Sequence, residues 1–153
     1  MAKARVPGAV WFASVGIACV LAGGLLAAAT AHSPTRHGVW AVAYLVLVAG
    51  VAQVALGWGQ ALLATETPTG RLVAAELLAW NIGNAAVIIG TLIGALVLVY
   101  AGGALLVTGL VLFVLAARGG ELRWRRTRWA FRLIVLILAV SIPVGLTLAT
   151  ARG

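Results

Sequence analysis

The sequence predicts an all-α fold: a polytopic integral membrane helix bundle of five transmembrane helices, with its N-terminus cytoplasmic and its C-terminus outside. Three observations predict it. Hydrophobic residues make up 63% of the 153 residues and charged residues 9%, with a mean hydropathy of +1.13, and a soluble domain of this length needs more polar surface than that. The apolar residues fall in long runs, and a helix crossing the hydrocarbon layer needs about 20 of them. Five crossings, finally, gather most of the basic residues on one side.

The first span is expected over 9–31, entered through Lys3, Arg5 and Pro7 and stopped by His32-Ser33-Pro34. Ala29-Thr30-Ala31 behind a basic start has the look of a signal-peptidase site, but an apolar core of about 22 residues exceeds the roughly 7 to 15 of a secretory signal. The sequence therefore favours a retained anchor. The second span, 39–64, carries no charge. From Leu72 to Ala117 the sole ionisable groups are Glu76 and Tyr100, and one straight helix of that length would reach about 69 Å at ~1.5 Å per residue. That exceeds the oily slab more than twofold, so the segment must fold back. The expected turn is Tyr100-Ala101-Gly102-Gly103, where an interfacial aromatic meets a glycine pair, with Gly94 as the alternative. This gives a third span over 72–99 and a fourth over 102–118. A cytoplasmic Arg-rich loop over 118–130 leads to the fifth span, 130–150, in which Pro143 is expected to kink the helix. Together these make a single transmembrane domain spanning 1–153.

Charge decides the count. With five spans and the amino terminus inside, Lys3, Arg5, Arg71, Arg118, Arg123, Arg125, Arg126, Arg128 and Arg132 lie inside, against Arg36 and Arg152 outside. That asymmetry is what the positive-inside rule requires. Removing one span would put the arginine cluster opposite Lys3 and Arg5. Aromatic rings agree: Trp11, Trp58, Trp124 and Trp129 fall near the inner boundary and Trp40, Tyr44 and Tyr100 near the outer one, while Trp80 alone sits deeper.

Polar residues within the spans are the main functional signal. Glu76, Asn81 and Asn84 interrupt an apolar run, and Gln53, Gly57 and Gln60 follow i, i+4, i+7 spacing on the preceding helix. Thr67 is expected to cap a helix begun by Pro68. Residues equally far from Pro68 then stand at equal depth, so Gln60 falls opposite Glu76 and Gln53 opposite the Asn81–Asn84 turn. The expectation is a polar seam of amide-to-amide pairs: a structural latch, or alternatively a ligand or ion path through Gln53, Gln60, Glu76, Asn81 and Asn84. Gly83, Ala86, Gly90 and Gly94 form a ridge of small residues suited to helix packing, and Ser14, Ala18 and Ala22 a weaker one.

Other chemistry is sparse. Three acids, Glu66, Glu76 and Glu121, and no Asp leave little for carboxylate metal sites or paired-carboxylate catalysis. Walker, Rossmann, nucleophile-elbow, zincin and CxxC patterns do not occur. Cys19 has no intrachain partner. No cofactor is predicted; His32 and His37, five apart in one loop, are weak candidates for haem or copper. Arg118, Arg123, Trp124, Arg125, Arg126, Arg128, Trp129 and Arg132 suit anionic lipid at the cytoplasmic face, or an acidic partner, and nucleic acid is not expected. Abundant Ala, Gly and Arg with little Lys suggests a GC-rich prokaryotic genome, hence the cytoplasmic (inner) membrane. The leading functional expectation is a non-catalytic accessory, assembly or scaffold subunit of a membrane complex, in contact with other membrane subunits or copies of itself. A small channel or carrier using the seam is the first alternative, and a haem- or copper-associated redox component the second.

Overall fold

The computed structural model describes residues 6–64, 66–117 and 125–150, with side chains over 8–64, 66–117 and 129–141. Among the described residues every regular element is a helix. We label them α1 (Val6–Thr30), α2 (Arg36–Leu63), α3 (Gly70–Ile93), α4 (Leu96–Ala116) and α5 (Arg125–Thr150). The first four are long and apolar enough to cross a membrane; within α5 the described apolar stretch is Trp129–Ser141. Large apolar side chains point outward along them, among them Leu25 (73% exposed) and Val97 (84%). A water-soluble monomer rarely exposes so much contiguous apolar surface.

Helices start where side-chain oxygens take up the free N–H groups of a first turn. Thr35 Oγ1 accepts from Gly38 N at 3.0 Å to open α2. Thr69 Oγ1 accepts from Leu72 N at 3.3 Å to open α3. The expected cap at Thr67 is thus replaced by the next threonine: Thr69 is extended, with ψ 151°, and Pro68 lies ahead of the helix instead of inside it. Residues 45–52 of α2 are wound as a π-helix, immediately before Gln53. α5 begins at Arg125, ahead of the expected boundary at Ala130, and its helical backbone continues past Pro143.

The turn between α3 and α4 is at Gly94-Ala95, not at Tyr100–Gly103. Gly94 takes φ +70°, the left-handed conformation that ends helices and suits glycine. Gly102 and Gly103 are instead buried inside α4. Glycine permits either a positive φ or a close backbone approach, and the pair serves the second purpose. A Cβ on Gly102 would lie 2.7 Å from the Gly83 carbonyl oxygen, and one on Gly83 would lie 3.0 Å from the Gly102 oxygen.

The same device joins α1 to α2. A Cβ on Gly16 would lie 2.9 Å from the Gly50 carbonyl oxygen, and one on Gly50 would lie 3.0 Å from that of Gly16. Two antiparallel hairpins, α1–α2 and α3–α4, are therefore each drawn together at a reciprocal glycine contact. On α1 the packing face carries Gly16 and Gly23, while Ser14, Ala18 and Ala22 of the expected ridge face outward. Between the hairpins lies the core. Phe12 of α1 seats against Gly57 of α2 and meets Phe113 of α4 with ring centroids 5.1 Å apart. Phe113 meets Trp80 of α3 edge-on at 6.3 Å, and Phe131 of α5 closes the end of the cluster against Gly59.

Candidate functional site

The spacing of polar residues on α2 and α3 fixes the site. Glu76, Trp80 and Asn84 recur every four residues, so they share one face of α3. Gln53 and Gln60 share a face of α2. Both faces turn inward: Gln53 and Glu76 are 0% exposed, Trp80 1%, and Gln60 and Asn84 2%. One hydrogen bond crosses between them, from Gln60 Nε2 to Glu76 Oε1 at 2.7 Å. Its position follows from equal depth about Pro68.

The other expected rungs are absent. Asn81 Nδ2 donates to Leu77 O and Asn84 Nδ2 to Trp80 O, each at 2.8 Å. Both amides thus bond back to their own helix, as do the hydroxyls of Thr30, Thr91 and Thr108 to the carbonyl four residues earlier. A carbonyl one turn back is always within reach, so a short polar side chain satisfies its donor there before reaching a neighbouring helix. Asn81 is only half-buried, and it belongs to the seam in sequence more than in space. Gln60 and Glu76, each one methylene longer, make the crossing, whereas Gln53 does not.

Five buried side-chain atoms at the seam have no hydrogen-bond partner: Gln53 Nε2, Gln53 Oε1, Glu76 Oε2, Trp80 Nε1 and Asn84 Oδ1. Each such atom costs about 1–3 kcal/mol when buried unpaired. On α3 they stand at three heights, Glu76 at one end, Trp80 in the middle and Asn84 at the other, over about 12 Å at ~1.5 Å per residue, and Gln53 is buried on α2. Trp80 joins the expected site residues; its signal in the sequence is being the one tryptophan far from either expected membrane boundary.

The remaining site residues fall elsewhere. Gly83 and Gly90 pack against α4, Ala86 is half-buried, and Gly94 is the turn. Gly83 and Gly90 of the expected packing ridge thus meet a helix of the same chain. His32 and His37 are both exposed around the α1–α2 connection, and among the described residues no group of three His, Cys, Asp or Glu side chains could hold a metal ion. Of the basic cluster, Trp129 (65%) and Arg132 are exposed. Arg118, Arg123 and Trp124 lie outside the described residues, as do the side chains of Arg125, Arg126 and Arg128. Surface grooves of about 260 and 330 Å³ flank Thr67 and Pro68, the larger lined by Trp11, Val73 and Leu77.

Fold and seam together define a class: a helix bundle with four helices long and apolar enough to span a membrane, compatible with a multi-pass membrane protein, enclosing an under-satisfied polar seam. No family model matches the chain, and no curated protein or solved structure matches it.

Proposed function

We propose that this chain is a five-span protein of a prokaryotic cytoplasmic (inner) membrane, amino terminus inside and carboxyl terminus outside, acting as a non-catalytic accessory, assembly or scaffold subunit. The observation that carries this reading is the closed, interlocked core: glycine-to-glycine contacts within each hairpin and one buried Gln60–Glu76 bond across the seam. Such bonds orient helices more than they glue them, each adding about 0.6–2 kcal/mol. The outward faces are left apolar, for lipid or for helices of other subunits or of further copies. The helix over 125–150 is 26 residues long, about 39 Å at ~1.5 Å per residue, and serves as the fifth span. Arginines from 118 to 132, with Trp124 and Trp129, dock on anionic headgroups at the cytoplasmic face.

Topology mapping with reporter tags at both ends, combined with gentle detergent extraction and native mass spectrometry, tests the proposal. Ends on opposite sides and co-purifying membrane subunits, or a defined homo-oligomer, are expected. Ends on one side, or a partner-free monomer, would overturn it. The reading includes no resident cofactor; a haem absorption band, or stoichiometric copper dependent on His32 or His37, would replace it with a redox role.

A second reading, a small carrier or channel along the seam, is favoured by the five buried unpartnered atoms. A seam serving only as a latch has no use for polar groups that it leaves unpaired.

A further inference from the structure

Glu76 enters the seam with half of its carboxyl engaged: Gln60 holds Oε1, and Oε2 has no partner. Among the described residues no cation within the surrounding spans answers it. The sequence has no Lys or Arg between Arg36 and Arg71 or between Arg71 and Arg118. Arg71 is exposed at the start of α3, α1 carries no basic residue, and on α5 Arg132 is exposed, the side chains of Arg125, Arg126 and Arg128 lying outside the described residues. An acidic group buried in apolar surroundings is a functional-site signal by default, and the natural question is which cation pairs with it.

The neighbours narrow the answer. One turn along α3, Trp80 presents a buried ring and an unpartnered Nε1, backed by Phe113 and Phe12. A turn further, Asn84 Oδ1 and both polar atoms of Gln53 are unpartnered. A carboxyl, aromatic ring faces and spare amide oxygens in sequence are the elements that recognise an ammonium group, by charge, by cation–π attraction and by accepting its N–H bonds. An anion would be repelled by Glu76. A wholly apolar guest would leave all five atoms unpaired. Calcium would seek six to eight oxygens, more than one carboxyl and two amides provide.

The geometry points to the α2–α3 seam as a binding site for one small organic ammonium cation. Its N–H groups rest on Glu76 Oε2, its carbon frame lies along Trp80, and a polar group at its far end meets Gln53 and Asn84. Admission requires the Gln60–Glu76 bond to yield and residues 53–63 of α2, which pack chiefly against α1, to shift. That half-helix starts directly after the π-helical segment 45–52, and π turns recur at functional sites. The inference deepens the carrier reading without depending on transport.

The test uses purified full-length protein in detergent, titrated calorimetrically with benzylammonium chloride and, as a neutral analogue of the same shape, benzyl alcohol. Saturable one-to-one binding of benzylammonium is expected, at least about tenfold tighter than the alcohol. Glu76→Gln, which keeps an oxygen to accept from Gln60, is expected to remove that preference, while Glu66→Gln at the exposed α2–α3 turn leaves it intact. Equal affinity for the two probes, a preference surviving Glu76→Gln in folded protein, or no saturable binding at all would overturn the site. Uptake of labelled benzylammonium into vesicles carrying the protein is measured separately: binding without uptake keeps the site and removes the carrier reading.

Discussion

Replacing Gly102 by alanine probes the α3–α4 crossing, and Gly109 on the same helix provides the control. The new Cβ at 102 would stand 2.7 Å from the Gly83 carbonyl oxygen and 2.9 Å from both Val87 N and Val87 Cγ2. Ordinary contact begins near 3.4 Å, so α3 and α4 must part by roughly 0.5–0.7 Å locally, and a gap of ~0.5–1 Å forfeits about a quarter to a half of each lost contact. Overpacking of this kind costs about 1–3 kcal/mol. At 109 the nearest atoms, Ala79 Cβ, Trp80 Cε3 and Trp80 N, are 3.7 Å away, and the methyl fits. Both substitutions gain the same helix preference of alanine over glycine, about 0.8–1.0 kcal/mol. The difference between them therefore isolates the steric term. Reversible unfolding by SDS in mixed micelles, followed by circular dichroism, should place Gly102→Ala roughly 1–3 kcal/mol below Gly109→Ala. Equal stabilities, or the reverse order, would refute the glycine-contact account of the hairpin.

Other substitutions separate paired from unpaired polar groups. Gln53→Leu removes two buried unpartnered atoms at nearly constant volume and should leave stability unchanged or raise it by about 1–3 kcal/mol in the same unfolding assay, and a clear loss would show that the amide is bonded. Asn81→Ala removes a half-buried amide bonded to its own helix, so its cost should stay within about 1 kcal/mol, measured alongside; a larger loss would restore the expected interhelical pairing. Gly94→Ala forces a side chain into the left-handed region and should cost about 1–2 kcal/mol despite open space around it, whereas no loss would place the turn elsewhere.

Much of this architecture was legible in the sequence because length and hydropathy are strong constraints. The four long apolar helices and the depth match of Gln60 with Glu76 follow from run lengths and from counting outward from one proline. The turn falls at the Gly94 alternative and not at the preferred Gly102-Gly103 because the two sites carry the same residue for different reasons, and composition does not say which glycine needs a positive φ and which needs a near neighbour. The cap moved from Thr67 to Thr69 because both threonines can accept from a first-turn N–H. Asn81 and Asn84 bond to their own helix and not across the seam: the sequence shows which residues can hydrogen-bond, but it does not weigh a partner on the next helix against a carbonyl four residues back. The Gly16–Gly50 pair has no local signal in the sequence because their contact depends on the register between two helices. The π-helical segment 45–52 has no signature in its apolar residues.

A double-mutant cycle at Gln60 and Glu76 bears most directly on the central claim that a single buried bond ties α2 to α3. Stabilities of the parent protein, Gln60→Ala, Glu76→Ala and the double variant, measured by reversible unfolding, give the coupling between the two side chains. The account predicts a favourable coupling of about 0.6–2 kcal/mol. Strictly additive losses would contradict it.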